Sequence, residues 1–106
     1  MADCAVFEEA VAAHAAGADL VGTTMNGYTP QTAGETGEPN FALVARLAKA
    51  LPCPVIAEGR VHTPEQARRM LEQGAWAVVV GGAITRPLEI ASRFMAAVRD
   101  FPGGRA

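Results

Sequence analysis

The sequence lacks the features that mark several large classes of protein. It has no long uncharged apolar run of the kind that crosses a membrane. Its two cysteines, Cys4 and Cys53, are too few for the disulfide framework of a small secreted domain. Acidic side chains at Asp3, Glu8 and Glu9 interrupt any signal peptide. The sequence therefore predicts a reduced, cytoplasmic protein without a membrane partner.

The signatures of nucleic-acid, dinucleotide and metal binding are missing as well. The 9 basic and 11 acidic side chains are interspersed and give a net charge of −2, so no basic stripe is available to bind nucleic acid. No G-x-G-x-x-G motif lies between a strand and a helix. His14 and His62 show no metal-ligand spacing with the two cysteines. We therefore expect no cofactor, no metal and no nucleic-acid partner.

What the sequence does contain indicates one small globular domain. Half of the 106 residues are apolar and 19% are charged, which is the balance of a folded chain rather than a disordered one. One domain is expected at this length, since domains usually have about 100–200 residues. Only 6% of the residues are aromatic and many are alanine, so the core is expected to be rich in small side chains.

Segments with helical and with strand patterns alternate along the chain. Amphipathic helices are predicted over residues 7–16, 41–51 and 64–73, and from about residue 87 onward. The last helix is expected to bury an apolar face that consists of Ile90, Phe94, Ala97 and Val98. Short apolar strands are predicted over residues 20–24, 55–57 and 77–80. This alternation favours a parallel sheet, either in an open doubly wound arrangement or in a (β/α)8 barrel.

The boundaries of the helices carry recognisable capping residues. Asn40 is predicted to cap the second helix. Thr63 and Gln66 have the spacing of a capping box, with Pro64 at the first helical position. Residues 25–39, which include Tyr28, are dense in Gly, Thr, Pro and Glu and have no helical period. That stretch is a candidate functional loop.

Charged residues and glycines follow the predicted strands, at the edge where parallel α/β folds place their active sites. The residues at the strand ends are Asp3, Thr23-Thr24, Glu58-Gly59-Arg60 and Gly81-Gly82. A carboxylate, an arginine and glycine backbone at one edge suit a small, anionic substrate that bears a carbonyl group.

Glu58 is the most informative of these residues. It directly follows an apolar strand pattern, where a charged side chain is costly unless it is paired or used. The position suits general acid/base chemistry on a carbon next to a carbonyl. A purely structural role is the alternative, in which Glu58 pairs with Arg60 or Arg86 and holds the edge together.

The segment from Gly81 to Pro87 follows the last predicted strand and begins a helix. Glycine amides at a helix N-terminus attract phosphate, and Arg86 in the same turn would add a charge-assisted contact. Barrel enzymes frequently bind phosphate at this place, after strands seven and eight. The alternative is a tight Gly-Gly turn followed by a solvated arginine.

Four motifs occur together in an order and spacing that resemble one enzyme family. They are Met1-Ala2-Asp3-Cys4, Gly22-Thr23-Thr24 with Gly27-Tyr28-Thr29-Pro30, Ile56-Ala57-Glu58-Gly59-Arg60 with Thr63-Pro64, and the run from Val80 to Pro87. From Met1 to about Val98 the chain resembles the carboxyl-terminal half of the N-acetylmannosamine-6-phosphate 2-epimerases, (β/α)8-barrel enzymes of bacterial sialic-acid catabolism. The resemblance implies an α/β fold that is the C-terminal half of a (β/α)8 TIM barrel, with about strands 5–8. It implies one partial barrel domain over residues 1–106, with the N-terminal barrel half absent.

The resemblance also implies an activity. The family interconverts N-acetylmannosamine 6-phosphate and N-acetylglucosamine 6-phosphate by removing and returning the proton at C2, without metal or nicotinamide. Glu58 is implied to be the catalytic carboxylate. The implied substrate-binding residues are Asp3 at the sugar, Gly59 and Arg60 at the same edge of the sheet, and Gly81, Gly82 and Arg86 at the phosphate.

Two features depart from the family pattern. The family uses a lysine on an early barrel strand as the partner in proton transfer, whereas the single lysine here, Lys49, lies late in the second predicted helix. Ala5 and Val6 replace the usual Ser-Thr after the aspartate motif, which removes two hydroxyl groups. The sequence therefore contains one half of the implied acid/base pair.

Three interpretations stay open on the sequence alone. The chain is an epimerase polypeptide that another chain or a longer product completes, a non-catalytic phosphosugar-binding half-barrel, or an inactive truncated product that dimerises. A full barrel needs about 200–250 residues. Because a half-barrel leaves an open sheet edge and apolar faces, the expected partner is a second copy in a homo-oligomer or a complementing N-terminal half.

Overall fold

Strands and helices alternate along residues 1–103, the part of the chain that the structure, a computed structural model, describes. Their bounds are β1 (Ala2–Asp3), α1 (Phe7–Ala15), β2 (Val21–Gly22), α2 (Phe41–Ala50), β3 (Val55–Glu58), α3 (Pro64–Glu72), β4 (Ala77–Val79), α4 (Gly82–Thr85) and α5 (Pro87–Arg99). The helices and strands predicted from the sequence are present, with boundaries that differ by a few residues. The candidate functional loop over residues 25–39 consists of turns and bends.

The predicted capping residues form the expected hydrogen bonds. The amide of Leu43 donates to Oδ1 of Asn40 at 2.9 Å, at the start of α2. At the start of α3, the amide of Gln66 donates to Oγ1 of Thr63 at 3.1 Å, and the amide of Thr63 donates to Oε1 of Gln66 at 3.2 Å. Such caps pair amides that have no partner within the helix, and each contributes about 1 kcal/mol of stability.

The four strands form one parallel sheet in the order β1-β2-β3-β4, which is the order of the chain. A doubly wound sheet reverses its strand order at a switch point, whereas a (β/α)8 barrel adds each strand beside the preceding one. The observed order therefore excludes the open doubly wound alternative for these strands and matches a barrel segment. The expected α/β fold class is confirmed.

The two faces of the sheet have different surroundings. Val21, Val55 and Ala57 pack into the core beneath the helices, against Leu47 and Met70. Side chains on a strand alternate between faces, so the residues between them project from the other face. There the register places Asp3 opposite Gly22, Gly22 opposite Ile56, Ile56 opposite Ala77, and Glu58 opposite Val79. Asp3 and Glu58 therefore project from the same face, which is the interior face in a barrel.

The expected burial of the last helix is wrong for this structure. Only Ile90 of the predicted apolar face is partly buried, while Phe94 is 70% exposed and Val98 is 68% exposed. The main contact of α5 is with the short helix α4, and the described chain extends over 58 Å in its longest direction. The helix has the predicted amphipathic pattern, but no strand of the sheet lies under its apolar face. Among residues 1–103, no helix combines the length and the apolar composition needed to cross a bilayer.

Candidate active site

A cavity of about 410 Å³ opens at the carboxyl edge of the sheet, beyond the ends of β3 and β4. It brings together the predicted site residues Glu58, Gly59, Arg60, Gly81, Gly82 and Arg86. Asp3 is the predicted residue that does not line it. Thr24, Tyr28, His62 and Glu89 also line the cavity. Thr24 was expected at this edge and Tyr28 in the candidate loop, whereas His62 and Glu89 had no predicted role in the site.

Glu58 is the last residue of β3 and is half-buried. The two arginines that could have paired with it make other contacts, since Arg60 bonds to Asn26 and Arg86 to Glu89. The backbone of Glu58 is held by the side chain of Thr23, whose Oγ1 lies 3.0 Å from the carbonyl oxygen and 3.1 Å from the amide nitrogen. The side chain of Glu58 is thus placed in the cavity by a fixed backbone, and none of the arginines among residues 1–103 forms an ion pair with it.

Arg60 borders the cavity, and its guanidinium contacts the loop that follows β2. Gly59 has a φ of 111° and Arg60 a φ of 59°, so two consecutive residues are left-handed, which is costly for a residue with a Cβ. Nη2 of Arg60 donates to Oδ1 of Asn26 at 2.8 Å. Its Nε and Nη1 atoms are buried and have no hydrogen-bond partner within residues 1–103. The guanidinium therefore lies beneath the loop that follows β2.

This loop, residues 25–39, is anchored by a group of polar side chains. Nδ2 of Asn26 donates to the carbonyl of Ala5 at 2.8 Å and to Oε2 of Glu35 at 3.0 Å. Nδ2 of Asn40 donates to the other oxygen of Glu35 at 2.8 Å. Because these bonds join the loops after β1 and β2 to the start of α2, they fix the position of Tyr28, whose side chain is exposed at the cavity.

Asp3 is joined to the cavity through a threonine. Oγ1 of Thr24 donates to Oδ1 of Asp3 at 3.0 Å, and Thr24 is one of the lining residues. Gly22 leaves space for this pair, since a Cβ at Gly22 would lie 3.3 Å from Oγ1 of Thr24 and 3.5 Å from Oδ1 of Asp3. Next to Asp3, burial and then the negative charges of Glu9 and Asp3 raise the pKa of the Cys4 thiol above its ordinary value.

Arg86 borders the cavity beside the glycines that follow β4. Its side chain is 69% exposed, and Nη1 donates to Oε1 of Glu89 at 3.0 Å. The amides of Ile84 and Thr85 both donate to the carbonyl of Gly81 and close the short turn of α4. An exposed ion pair contributes little free energy, so an incoming anion can replace the carboxylate of Glu89 on Arg86 at small cost.

The residues that hold these groups in place had no role predicted from the sequence. Thr23 and Thr24 were identified as strand-end residues, and their position was the one available signal. Asn26 and Glu35 carried no signal apart from lying in the candidate loop. The contacts that reach Glu58 and Arg60 join residues far apart in sequence, with separations of 35 residues for Thr23 and Glu58 and 34 for Asn26 and Arg60.

Strands in chain order, with helices on one face and a cavity at their carboxyl edge, define a segment of a (β/α)8 barrel. Comparison with known families agrees with this class. The family model NanE, described as "Putative N-acetylmannosamine-6-phosphate epimerase", matches residues 1–100. The chain belongs to this family.

Several curated relatives carry the name "Putative N-acetylmannosamine-6-phosphate 2-epimerase". One from Caldanaerobacter subterraneus subsp. tengcongensis is 48% identical over 100 residues, which are 94% of this chain and 42% of the relative. One from Lactiplantibacillus plantarum is 52% identical over 99 residues, 92% of this chain and 43% of the relative. One from Enterobacter sp. is 52% identical over 107 residues, which cover 100% of this chain and 46% of the relative. The chain thus spans less than half the length of these relatives.

A solved structure gives the same result. The N-acetylmannosamine-6-phosphate 2-epimerase from Clostridium perfringens superposes with a TM-score of 0.87 at 44% sequence identity. The match covers 92% of this chain and 42% of that chain. Together with the strand order, it confirms the expectation of the C-terminal half of a TIM barrel.

Proposed function

We propose that this chain provides the catalytic carboxylate and the phosphate-binding edge of an N-acetylmannosamine-6-phosphate 2-epimerase. The observation that carries the proposal is that one cavity holds both Glu58, which pairs with neither Arg60 nor Arg86 in the described part of the chain, and Arg86, whose ion pair with Glu89 is exposed. An acid/base group and an anion contact are what a 2-epimerase of a sugar phosphate requires. The names of the relatives support the same activity.

The proposed reaction moves one proton. In the open-chain form of N-acetylmannosamine 6-phosphate, the C2–H bond breaks, the proton goes to a basic side chain, and its electron pair forms an enolate with the C1 carbonyl. Return of a proton to the opposite face of C2 gives N-acetylglucosamine 6-phosphate. Two groups on opposite faces suit this inversion, and Glu58 is proposed to be one of them.

The remaining predicted residues are proposed to bind the rest of the substrate. Arg86 would exchange Glu89 for the phosphate, with amides near Gly81 and Gly82 donating to the same group. Asp3, held by Thr24, would accept a hydrogen bond from a sugar hydroxyl. Gly59 lines the cavity beside Glu58 and would contact the sugar through its backbone. Arg60 is also proposed to support substrate binding, through Asn26 and the loop, because its guanidinium lies beneath that loop.

The second acid/base group is proposed to come from outside the described residues. Lys49 is exposed in the last turn of α2, a helix that begins at the cavity end of the sheet and runs away from it. The exposed apolar side chains of α5, Phe94 and Val98 among them, offer a surface that a complementing N-terminal half or a second copy would cover. A cytoplasmic location is proposed with this role, and the two free cysteines are in accord with it.

The position of Lys49 also favours a second candidate, a non-catalytic module that binds a phosphosugar. Such a module would keep Arg86 and the glycine amides and would bind sugar phosphates without exchanging the proton at C2. An inactive truncated product, the third interpretation from the sequence, would neither bind nor exchange.

One experiment separates these functions. The chain is incubated with N-acetylmannosamine 6-phosphate in deuterated water, alone and mixed with the amino-terminal half of the Lactiplantibacillus plantarum relative, and deuterium at C2 is followed by NMR. Exchange that is lost in Glu58→Gln and kept in Glu72→Gln, an exposed carboxylate on α3, supports the epimerase. Calorimetric binding without exchange supports the binding module, and absence of both contradicts each of them.

A further inference from the structure

We propose that Thr23 is a positioning residue for Glu58, whose backbone it fixes through a single hydroxyl group. The inference rests on the proposed function for the role of Glu58, and it adds a residue that acts on the acid/base group without touching substrate. Thr23 is 4% exposed and lies directly after β2, beside the end of β3.

The hydroxyl takes the place of a backbone group at the end of the sheet. The amide of Thr23 donates to the carbonyl of Ile56 at 3.1 Å, which continues the parallel pairing of β2 with β3. In a regular parallel ladder, the carbonyl of Thr23 would next accept from the amide of Glu58. Here that carbonyl accepts from the amide of Asn26 at 3.1 Å and starts the loop. The amide of Glu58 therefore needs another acceptor.

Oγ1 of Thr23 is that acceptor. It accepts from the amide of Glu58 at 3.1 Å and donates to the carbonyl of the same residue at 3.0 Å. A hydroxyl can do both because it carries one donor and two acceptor lone pairs. Of the common side chains with this short reach, only threonine and serine combine a donor and an acceptor on one atom.

The position of this contact matters for the proposed chemistry. Glu58 is the last extended residue of β3, and Gly59 and Arg60 turn sharply after it with positive φ values. Without the hydroxyl, the backbone of Glu58 would lose both of these hydrogen bonds, at the residue that carries the acid/base side chain. Proton transfer depends on placement to within a fraction of an ångström, so a looser backbone would slow it.

The test uses two variants that differ in the hydroxyl. Thr23→Val keeps the shape of the side chain and removes the hydroxyl, whereas Thr23→Ser keeps the hydroxyl and removes the methyl group. Amide hydrogen exchange of the full chain is measured at Glu58, with the buried helical residue Leu47 as a reference for overall stability. Deuterium exchange at C2 of N-acetylmannosamine 6-phosphate is measured with the chain alone or with its mixture with the amino-terminal half of the relative, whichever shows exchange in the wild type.

We expect the exchange rate of the Glu58 amide in Thr23→Val to rise about tenfold more than that of the Leu47 amide does. In Thr23→Ser, the Glu58 amide should exchange within about threefold of its wild-type rate. We expect kcat for C2 exchange to fall about tenfold or more in Thr23→Val with KM nearly unchanged, because Thr23 does not line the cavity that Arg86 borders. Thr23→Ser should recover kcat.

The two measurements distinguish a failure of the proposed function from a failure of the positioning proposal. If the wild-type chain shows no C2 exchange, either alone or mixed with the amino-terminal half of the relative, the proposed function is contradicted, while protection of the Glu58 amide still decides whether Thr23 holds that residue. If Thr23→Val leaves the Glu58 amide as protected as in the wild type, the positioning proposal is overturned. The same holds if kcat stays unchanged in Thr23→Val, or if Thr23→Ser is as impaired as Thr23→Val.

Discussion

The hydroxyl of Thr24 donates to the carboxylate of Asp3 across 3.0 Å and joins the carboxyl ends of β1 and β2. The preceding residue, Thr23, makes the corresponding connection to Glu58 at the end of β3. Thr23 and Thr24, which directly follow β2, thus bond to the acidic residues that end the two neighbouring strands, β1 and β3. The arrangement holds Asp3 by its side chain and Glu58 by its backbone. Within residues 1–103, the carboxylate of Asp3 therefore accepts a hydrogen bond from the protein, whereas that of Glu58 accepts none.

We predict that Thr24→Val weakens the binding of N-acetylglucosamine 6-phosphate about three- to tenfold, because Asp3 loses the donor that orients it. Isothermal titration calorimetry measures the dissociation constant. Thr24→Ser keeps the hydroxyl and should bind within about twofold of the wild type. Equal affinities of Thr24→Val and the wild type would show that the orientation of Asp3 has no part in binding.

We predict that Arg86→Ala weakens the binding of the same sugar phosphate by about 10- to 100-fold, since a hydrogen bond to a charged group contributes about 1.5–3 kcal/mol. Arg68 is the matched control, because it forms an exposed ion pair with Glu72 at 3.1 Å and does not line the cavity. Arg68→Ala should leave the dissociation constant unchanged. A similar loss in both variants would indicate a general charge effect instead of a phosphate contact.

The carboxylate of Glu89 competes with an anion for Arg86, since its Oε1 lies 3.0 Å from Nη1. We therefore predict that Glu89→Gln binds inorganic phosphate about two- to fivefold more tightly, which corresponds to the small free energy of an exposed ion pair. The dissociation constant is measured by titration at low ionic strength. Glu72→Gln removes the same charge from the pair with Arg68 and should have no effect. Weaker binding in Glu89→Gln would contradict the competition.

Gly27 and Gly37 allow a matched test of the loop anchor. Both have positive φ values, 92° and 84°, but a Cβ at Gly27 would collide with Nη1 of Arg60 and lie 2.8 Å from the carbonyl oxygen of Glu35, whereas a Cβ at Gly37 has no atom within 4 Å. Gly37→Ala should lower the free energy of unfolding by about 1 kcal/mol, the cost of a left-handed alanine.

Gly27→Ala should lower the free energy of unfolding by about 2–4 kcal/mol, because the collision adds to the same backbone cost. Urea denaturation followed by circular dichroism measures both values. Equal losses in the two variants would mean that Arg60 moves aside freely and does not anchor the loop.

The two cysteines should react with iodoacetamide at different rates. The pKa of the Cys4 thiol is raised by burial and by the carboxylates of Glu9 and Asp3, so at about pH 8 less of it is the reactive thiolate than in an ordinary thiol. Cys53 is partly exposed. Mass spectrometry should therefore find Cys53 alkylated first, with Cys4 reacting faster as the pH rises or when urea is added. Preferential alkylation of Cys4 would contradict its burial.

The helices and strands were predicted well from the sequence, because the residues that cap a helix or set its period lie within a few positions of each other. The cap at Asn40 and the reciprocal pair of Thr63 and Gln66 were readable from spacing alone, and the structure confirms them. The helical period of α5 was also readable. Which surface covers its apolar face is a property of tertiary packing, and for that reason the predicted burial of Phe94 and Val98 failed.

The main residues of the candidate site were predictable from the sequence, but the hydrogen bonds that hold them in place were not. Glu58, Gly59 and Arg86 follow strands, and parallel strands bring their carboxyl ends to one edge whatever the details. The contacts that fix Glu58 and Arg60 join residues far apart in sequence, and their donors and acceptors have no period or motif. Such bonds become visible only when the chain has folded.

The strand order has a consequence for the way this fold is acquired. Each strand pairs with the strand before it, so every β-α unit finds its partner in the segment that has just left the ribosome. Pairing between neighbouring strands closes shorter loops than pairing between distant strands would, and this lowers the entropic cost of each new strand. The sheet can therefore grow strand by strand during synthesis, and each newly added edge serves as the template for the next.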